Sequence, residues 1–479
     1  MHSFDFNIII NNFLTEKFII SDGEITFKQF FHFVKNTVKN LEDNGINSGE
    51  KVALVLQNKY EFLVCLMAMI QKGLIAVLLN HNIPPTKLME ILTNINCSKI
   101  INDDKYNSKI DRSIFDTFRL NELIDASSNI TADSNIEPIS FSQDSTITFT
   151  SGSSGYPKPV LHTFGNHYHS ALGSNENIQF KTGNRWLLSL PLYHVGGLSI
   201  LFRSIISGGT IVIPDKKLDL FDNIKKFNIT HVSLVPTQLL QIIENVKPIN
   251  ILKNLQAILI GGSYVPSGLI KFCIENELPI FTTYGSTEMS SQITTTPPNE
   301  KSDKLYTSGR ILKYRKMKIK EDDEILVKGE TLFKGYLENE NLIQPFDTDG
   351  WFQTGDLGKL DGDGYLTVFG RKDNMFISGG ENIYPEEIEK YLLNLEEIEN
   401  ALVVDISDKT FITRPIAFIK FHPNKYLNKK NIEEYLSEYL LKFKIPDAFY
   451  KWPDTKPLFK PNRIDLKTYY KNSKLEEIN

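Results

Sequence analysis

The sequence predicts an α/β protein: a large N-terminal domain of α/β subdomains with a small β-barrel-like subdomain, and a smaller α+β C-terminal domain. The chain has 479 residues, too many for one core of ordinary size. Apolar strand patterns alternate with helical patterns through most of the chain, as in a parallel sheet covered by helices on both faces. From about Lys304 the pattern changes to short strands and turns, which is typical of antiparallel structure.

The first helix and strand show how the alternation is recognised. Residues 26–42 place apolar side chains on one face of a helix. The run KVALVLQN then predicts a strand, and a second helix over Glu61–Lys72 is expected to end at Gly73. Further strand patterns follow in LIAVLLN, KIIND, TIVIP, THVSL and LQAILI, with helices over 86–95 and Asn166–Gly173.

The C-terminal part has a different composition, rich in lysine and glutamate. Helices are predicted in PEEIEKYLLNL and KNIEEYLSEYLLKF, and strands in ALVVDI and RPIAFIKF. A short connector follows Gly370. We therefore expect an N-terminal domain over residues 1–370, a C-terminal domain over 374–479, and a boundary at about 371–374.

Composition and charge exclude several classes of protein. A net charge of −5 gives no overall attraction to nucleic acid or to an anionic membrane. The longest apolar run, Phe62–Ile70, is too short to span a bilayer, and the N-terminus does not resemble a signal peptide. Cys65, Cys97 and Cys273 form no pairing pattern, and Cys65 lies in an apolar run typical of a core. We expect a cytoplasmic protein without a nucleic-acid partner or membrane insertion.

Residues 146–160 contain the strongest candidate for a phosphate-binding loop. A β-branched and aromatic strand, Thr146–Thr150, leads into SGSSG, and Lys158 follows. Small residues let backbone N–H groups approach phosphate oxygens, and the lysine supplies charge. The stretch does not match the P-loop pattern, because Tyr156 follows Gly155. An ordinary hairpin turn is the alternative interpretation.

Four further stretches complete a recognisable order along the chain. After Thr150–Lys158 come LPLYHVGG (190–197), TYGSTEMSSQ (283–292), TGDLGKLDGDGYLTVFGRKDN (354–374) and SGGENIYPEEIE (378–389). Together they resemble the adenylate-forming superfamily, which includes acyl-CoA ligases, and the resemblance covers nearly the whole chain. It implies an AMP-forming acid–thiol ligase that uses ATP, Mg²⁺ and coenzyme A, with a C-terminal domain that moves over the active site.

The resemblance also implies which residues bind ATP. It assigns Tyr284 and Gly285 to the nucleotide, Thr287 to the α-phosphate and Glu288 to both catalysis and Mg²⁺, since a carboxylate is a hard oxygen ligand. The alternative for this stretch is a capped turn before a helix. The remaining assignments, to phosphates and to the adenine edge, are Thr150, Ser151, Gly152, Ser153, Ser154, Gly155, Lys158, Gly261, Gly262 and Ser263.

Three residues near the expected domain boundary receive roles from the same resemblance. Asp356 would accept hydrogen bonds from the ribose hydroxyls, Arg371 would contact the ribose, and Asp373 would be the hinge. A turn aspartate and a surface charge are the alternatives for the first two. Gly379 and Gly380 would lie on the face of the C-terminal domain that is presented to coenzyme A.

Two residues are candidates for the acid pocket. His194 precedes two glycines and would lie between the ATP and acid sites, although a structural histidine is the more common situation. Arg203 is a charge inside an apolar segment; either it snorkels to the surface or its planar guanidinium faces a pocket and binds a carboxylate.

The stretches around His194 and in SGGENIYPEEIE resemble most the o-succinylbenzoate–CoA ligase branch of the family, which belongs to menaquinone biosynthesis. That acid carries two carboxylates, and Arg203 is our hypothesis for recognition of the one that is not activated. Alternatives are another aryl- or short-acyl-CoA ligase, or a catalytically weak nucleotide-binding homologue. The sequence leaves the oligomeric state open.

The sequence departs from the family at its C-terminal catalytic loop. The family carries a glycine–lysine pair there, and ungapped alignment from Pro457 puts Asn462 and Arg463 at those positions. Arginine keeps the charge but not the compact ammonium. Either Arg463 or the nearby Lys460 is therefore the candidate catalytic cation. The phosphate loop also departs, with Tyr156 and Pro159 where lysine and glycine are usual.

Overall fold

The structure is a computed structural model that describes residues 3–103, 110, 113–124, 136–150, 157–244, 248–300, 303–338, 341–378, 381–408, 412–453, 463–472 and 475–479. By internal contacts the chain forms two compact units. The first unit comprises residues 1–263, 273–317 and 327–352, and the second comprises 264–272, 318–326 and 353–479. The hinge expected at 371–374 stays a prediction.

The helices alternate with strands as expected. In chain order the helices are α1 (Phe6–Phe13), α2 (Phe27–Asp43), α3 (Tyr60–Lys72), α4 (Pro85–Asn94), α5 (Leu120–Leu123), α6 (Phe164–Ile178), α7 (Val195–Ser207), α8 (Leu220–Lys226), α9 (Pro236–Glu244), α10 (Asn250–Lys253), α11 (Ser267–Glu275), α12 (Pro385–Leu392), α13 (Lys429–Ser437) and α14 (Arg463–Asn472). The strands before residue 300 are β1 (Ser3–Phe4), β2 (Lys17–Ile20), β3 (Glu24–Thr26), β4 (Lys51–Val55), β5 (Ile75–Leu78), β6 (Lys99–Asn102), β7 (Asp116–Arg119), β8 (Ile139–Ser140), β9 (Asp144–Thr150), β10 (Lys158–Thr163), β11 (Arg185–Leu187), β12 (Thr210–Val212), β13 (His231–Leu234), β14 (Ala257–Ile260), β15 (Ile280–Ser286) and β16 (Ser291–Thr295). The later strands are β17 (Arg310–Ile311), β18 (Arg315–Ile319), β19 (Glu324–Gly329), β20 (Gly335–Glu338), β21 (Asn341–Ile343), β22 (Phe352–Leu360), β23 (Leu366–Arg371), β24 (Phe376–Ser378), β25 (Glu381–Ile383), β26 (Ile398–Asp408), β27 (Ile412–Phe421) and β28 (Ala448–Lys451).

Two large sheets organise the first unit, where the alternation by itself had predicted a parallel sheet. One has the order β21-β20-β10-β9-β5-β4-β6-β7 and the other β17-β16-β15-β14-β13-β11-β12-β2-β3. Their central strands pair in parallel, for example β4 with β5 and β13 with β14. The edge strands β21, β17 and β3 pair antiparallel, whereas the edge strand β7 pairs in parallel with β6. Two sheets form because a single twisted sheet rarely grows beyond about ten strands.

The predicted helix over 26–42 is confirmed as α2, and its start has a chemical cause. Thr26 and Gln29 form a capping box that satisfies backbone N–H groups at the N-terminus. Phe30, Phe31 and Leu41 are buried, as the spacing predicted. Helix α3 ends at Gly73, whose φ of 77° is the left-handed conformation that glycine adopts without strain.

The strand β10 was not predicted, and helix α6 is longer than the predicted Asn166–Gly173. Strand β10 pairs antiparallel with β9 and places Lys158 opposite Thr150. Thr163 caps α6 by accepting from the backbone N–H of Asn166, so the helix starts before the predicted residue. Gly173 does not end the helix: a side chain there would meet Nη1 of Arg315 at 2.7 Å, so this glycine serves close packing.

The second unit contains the sheet β26-β27-β28 and most of the small antiparallel sheet β18-β19-β22-β23. The remaining residues of the small sheet belong to the first unit. Helices α12 and α13 confirm the two predicted helices, and their apolar side chains Ile388, Leu392, Ile432 and Leu436 join one buried cluster. The fold is therefore the mixed α/β architecture that the sequence predicted. Over the ranges given above, no helix is both long enough and apolar enough to cross a bilayer.

Candidate active site

The phosphate-loop candidate lies at the end of the β9–β10 hairpin. Thr150 and Lys158 are cross-strand neighbours at its loop end. The Lys158 ammonium lies 5.4 Å from the centre of the Tyr336 ring, within cation–π range. Ser151, Gly152, Ser153, Ser154 and Gly155 lie outside the described residues. The structure thus places the two ends of the candidate loop side by side.

The stretch 284–288 continues from strand β15 into a single turn of 3-10 helix, Thr287–Met289. Gly285 packs against the neighbouring strand so closely that a Cβ would meet the Ser291 carbonyl oxygen at 2.1 Å, so glycine is required at 285 for packing. Ser286 occupies the N-cap position without a capping side-chain hydrogen bond, which does not favour the capped-turn interpretation.

The carboxylate of Glu288 has a defined orientation. Its Oε1 accepts a hydrogen bond of 2.7 Å from the hydroxyl of Tyr336, and its backbone carbonyl accepts from the N–H of Phe333 at 2.7 Å. Tyr336 thus contacts both Glu288 and Lys158, and sequence reasoning missed it. The only sequence signal for Tyr336 was its position after Gly335 in the run FKGYLE, and that pattern is too common to indicate a functional site.

The residues 261–263 follow β14 directly, and β14 pairs in parallel with β15. A Cβ on Gly261 would meet Cγ2 of Thr283 at 2.5 Å, and Gly262 has a φ of 80°. The sheet therefore brings Gly261, Gly262 and Ser263 alongside the carboxyl end of β15. In open α/β sheets this edge is where ligands bind.

His194 occupies the position immediately before helix α7, as its N-cap residue. Its exposed ring lies 4.6 Å from the ring of Tyr193, and nearby protein desolvates the imidazole enough to lower its pKa below the usual value. A lowered pKa favours the neutral imidazole at neutral pH. The neutral ring can then donate one hydrogen bond and accept another without carrying charge.

Arg203 is buried, so the interpretation as a snorkelling surface side chain is wrong. Only 1% of the residue is exposed, and its guanidinium stacks over the Trp186 ring at 4.8 Å. Its Nη2 donates to Oε1 of Gln292 at 2.7 Å, whereas Nε and Nη1 are buried without a hydrogen-bond partner among the described residues. Burial lowers the pKa to about 9, which leaves the group charged at neutral pH.

A second buried arginine, Arg315, also contacts Gln292. Its Nε donates to the Gln292 carbonyl at 2.6 Å, and Nη2 donates to Ser170. Burial, with the nearby charge of Arg203, lowers the pKa of Arg315 to about 9. No carboxylate among the described residues pairs with either guanidinium, so this buried region favours an anion. Gln292 was within a quoted motif, but nothing in the sequence indicated its role.

Asp356, Arg371 and Asp373 form one cluster in the second unit. Asp356 on β22 lies directly opposite Arg371 on β23, and Nη1 of Arg371 lies 3.1 Å from Oδ1 of Asp356. Asp373 lies 3.5 Å from the other end of the guanidinium. Asp356 lies within strand β22 and its side chain is 15% exposed, so the turn-aspartate interpretation does not describe it. Gly379 and Gly380 lie outside the described residues.

Arg463 begins helix α14 and forms an ion pair inside the second unit. Its Nη2 contacts both carboxylate oxygens of Glu389, at 2.6 and 2.7 Å, and Oε1 of Glu386 at 3.1 Å. Burial raises the pKa of Glu389 to about 7, although Arg463 opposes that shift. The charge of Arg463 is thus engaged by acids of α12. Lys460 lies outside the described residues.

The family assignment rests on sequence as well as geometry. Residues 12–337 match the model of the family described as AMP-binding enzyme. The chain belongs to the AMP-binding enzyme family. Among its curated relatives, the 2-succinylbenzoate–CoA ligase of Bacillus subtilis is 33% identical over 444 residues, covering 90% of both proteins. That of Bacillus licheniformis is 34% identical and is covered to 92%.

Solved structures agree with this AMP-binding assignment. The o-succinylbenzoate CoA synthetase of Bacillus subtilis, in complex with the acyl-adenylate intermediate OSB-AMP, matches with a TM-score of 0.88 and 31% identity over 99% of each chain. The same enzyme in complex with ATP and magnesium ion matches with a TM-score of 0.84 and 32% identity, over 93% of this chain and 95% of that one.

The raised pKa of Glu389 predicts a specific dependence of stability on pH. A carboxyl whose pKa is higher in the folded protein contributes stability that is fully present below its unfolded pKa, near 4.5, and is lost as pH rises through about 7. We expect Glu389→Gln to flatten the fall in the urea unfolding midpoint over this window. Glu387→Gln, a change at a more accessible acid of the same helix, is the control. Parallel pH profiles for wild type and Glu389→Gln would contradict the assignment.

Proposed function

We propose that this AMP-binding enzyme is an ATP-dependent o-succinylbenzoate–CoA ligase of menaquinone biosynthesis. The observation that carries the proposal is the match over 99% of both chains to a synthetase that holds the acyl-adenylate OSB-AMP. The buried, carboxylate-free guanidinium of Arg203 supports it, because such a group suits an acid with a second carboxylate.

The reaction has two steps. A carboxylate oxygen of the acid attacks the α-phosphorus of ATP, the bond to the bridging oxygen breaks, and pyrophosphate leaves. The sulfur of coenzyme A then attacks the carbonyl carbon of the acyl-adenylate, AMP leaves with the electron pair, and the thiol proton passes to solvent. The products are o-succinylbenzoyl-CoA and AMP.

In the first step the protein mainly positions groups and stabilises developing negative charge. Lys158 and the loop 150–155 would hold the β- and γ-phosphates, and Thr287 would donate to the α-phosphate. The oxygens of Glu288 suit a hard cation, and Tyr336 orients this carboxylate. Bound there, Mg²⁺ would neutralise charge on the triphosphate.

The remaining residues of the nucleotide site would bind the nucleoside. Tyr284 and Gly285 would contact adenine together with residues 261–263. Asp356 would accept from the ribose hydroxyls, with Arg371 holding its carboxylate in place at 3.1 Å. His194 would lie between the nucleotide and the acid, where its neutral imidazole can hydrogen-bond to groups whose charge changes during the reaction.

The second step needs a different arrangement of the same chain. We propose that residues 374–479 form a domain that rotates about Asp373 between the two steps. Gly379 and Gly380 would then face coenzyme A. The free thiols of Cys65, Cys97 and Cys273 fit a reducing compartment, and we propose that the enzyme acts in the cytoplasm.

The test of the proposed function is acid- and CoA-dependent AMP formation by the purified chain. We expect o-succinylbenzoate to be used with a much higher kcat/KM than benzoate or hexanoate, because only it presents a second carboxylate. Preference for benzoate or hexanoate would identify a different CoA ligase. ATP binding without AMP release over the whole panel would identify a nucleotide-binding homologue instead.

Arg203→Ala is expected to lower kcat/KM for o-succinylbenzoate by about 100-fold, since a buried charge-assisted contact contributes about 1.5–3 kcal/mol. Activity with monocarboxylic acids should change little, because they lack the group that Arg203 binds. Arg203→Lys keeps the charge but loses the planar fork, so its kcat/KM for o-succinylbenzoate should fall between those of wild type and Arg203→Ala. Unchanged discrimination between o-succinylbenzoate and its monocarboxylic analogues in Arg203→Ala would remove Arg203 from substrate recognition.

Lys460→Ala and Arg463→Ala separate the two candidates for the catalytic cation. Because Arg463 is bound to Glu389 and Glu386, we expect Lys460→Ala to reduce acid-dependent pyrophosphate exchange by about 100-fold, the scale of one removed transition-state contact. Arg463→Ala should instead lower the unfolding midpoint, since it leaves Glu389 buried without its partner. Lys467→Ala on the same helix is the control. Loss of exchange only in Arg463→Ala would reverse the assignment, and loss in neither variant would reject both.

A further inference from the structure

We propose that His162 is a positioning residue for the adenylation step: its Nε2–H holds the backbone carbonyl of Thr287 and so fixes the turn that carries Thr287 and Glu288. The inference rests on the proposed function, since it concerns how that reaction's groups are held. No motif in the sequence indicated a role for His162.

The geometry of the contact is specific. His162 lies on β10, where it pairs with Thr146 of β9, and none of its surface is exposed. Its Nε2 lies 2.7 Å from the carbonyl oxygen of Thr287. A carbonyl can only accept, so Nε2 must carry the proton and the tautomer is set. The contact therefore joins the phosphate-loop hairpin to the turn 287–289.

The imidazole is held in a rigid, neutral setting. Its ring lies 4.9 Å from that of His167, which stacks on Phe202 and lies 2.7 Å from the hydroxyl of Thr146. Burial lowers the pKa of His162 to about 4, so the ring is uncharged over the working range of the enzyme. The side chain acts as a fixed N–H donor, not as an acid or a base.

Stability alone does not account for a histidine at this position. Its other nitrogen, Nδ1, is buried and has no hydrogen-bond partner among the described residues. An unsatisfied buried polar atom costs about 1–3 kcal/mol. Among the described residues the polar partner of this side chain is the Thr287 carbonyl. Holding this carbonyl is therefore what the imidazole contributes.

The held carbonyl belongs to the peptide between the two functional side chains. Rotation of the Thr287–Glu288 peptide would turn the Thr287 hydroxyl and the Glu288 carboxylate together. The Tyr336 hydroxyl holds the Glu288 carboxylate and the Phe333 N–H holds the Glu288 carbonyl. His162 acts one peptide earlier, on the Thr287 carbonyl, which also accepts the Ser290 N–H at 3.0 Å within the turn. Loss of the His162 contact should therefore misplace the groups that act on the α-phosphate without removing them.

The test compares His162→Leu with His162→Gln by acid-dependent pyrophosphate exchange with ATP·Mg²⁺. Leucine fills the space without a donor, whereas the glutamine amide can donate to the Thr287 carbonyl. We expect His162→Leu to lower kcat by about tenfold or more with a change in KM for ATP of less than about threefold, as for a misplaced catalytic group. His162→Gln should recover kcat to within about threefold of wild type.

His32→Leu is the matched control, because His32 is a buried histidine of the same unit that contacts Asn36 on its own helix. It should lower the unfolding midpoint without changing kcat at a temperature well below that midpoint. If His162→Leu does not fold, His162→Asn, whose amide is too short to reach the carbonyl, replaces it.

Wild-type kcat in the donor-less variant would overturn the proposal, as would equal loss of kcat in His162→Gln and His162→Leu at equal stability. Failure of the proposed function is seen separately, as wild-type protein that shows no acid-dependent exchange.

Discussion

The parallel pairing of β14 with β15 is the constraint on which the proposed nucleotide side of the site depends. Because paired parallel strands end at the same edge of a sheet, residues 261–263 and 283–288 lie side by side although they are separate in sequence. The close packing of Gly261 on Thr283 and of Gly285 on Ser291 leaves no room for a Cβ at either glycine. Glycine at these two positions is therefore set by strand packing at this edge.

Buried charge is the basis of the proposed acid side of the site. Two guanidiniums, those of Arg203 and Arg315, share Gln292 as a hydrogen-bond partner and have no carboxylate partner in the described part of the chain. Burying such groups without an anion is costly. A folded protein tolerates that cost where the missing anion arrives with a ligand, and the family's reaction supplies an acid, a triphosphate and a developing negative charge.

The second unit shows how one ion pair can change the interpretation of a motif. By alignment Arg463 takes the place of the family's catalytic lysine, yet its guanidinium is bound to Glu389 and Glu386. Asp356, Arg371 and Asp373 likewise form a single cluster at the predicted hinge.

The sequence by itself determined the alternating α/β architecture, most helices and strands, and the order of motifs that identifies the family. Those features are local: helix periodicity, capping residues such as Thr26, and short glycine-rich stretches are written in neighbouring residues. The structure alone revealed strand β10, the burial of Arg203 and the division into two large sheets. It also decided the contacts between Arg203 and Gln292, His162 and Thr287, and Arg463 and Glu389, whose partners are 89, 125 and 74 residues apart. Such contacts depend on how strands and helices pack across the chain, and side-chain chemistry read along one sequence carries no distance information about them.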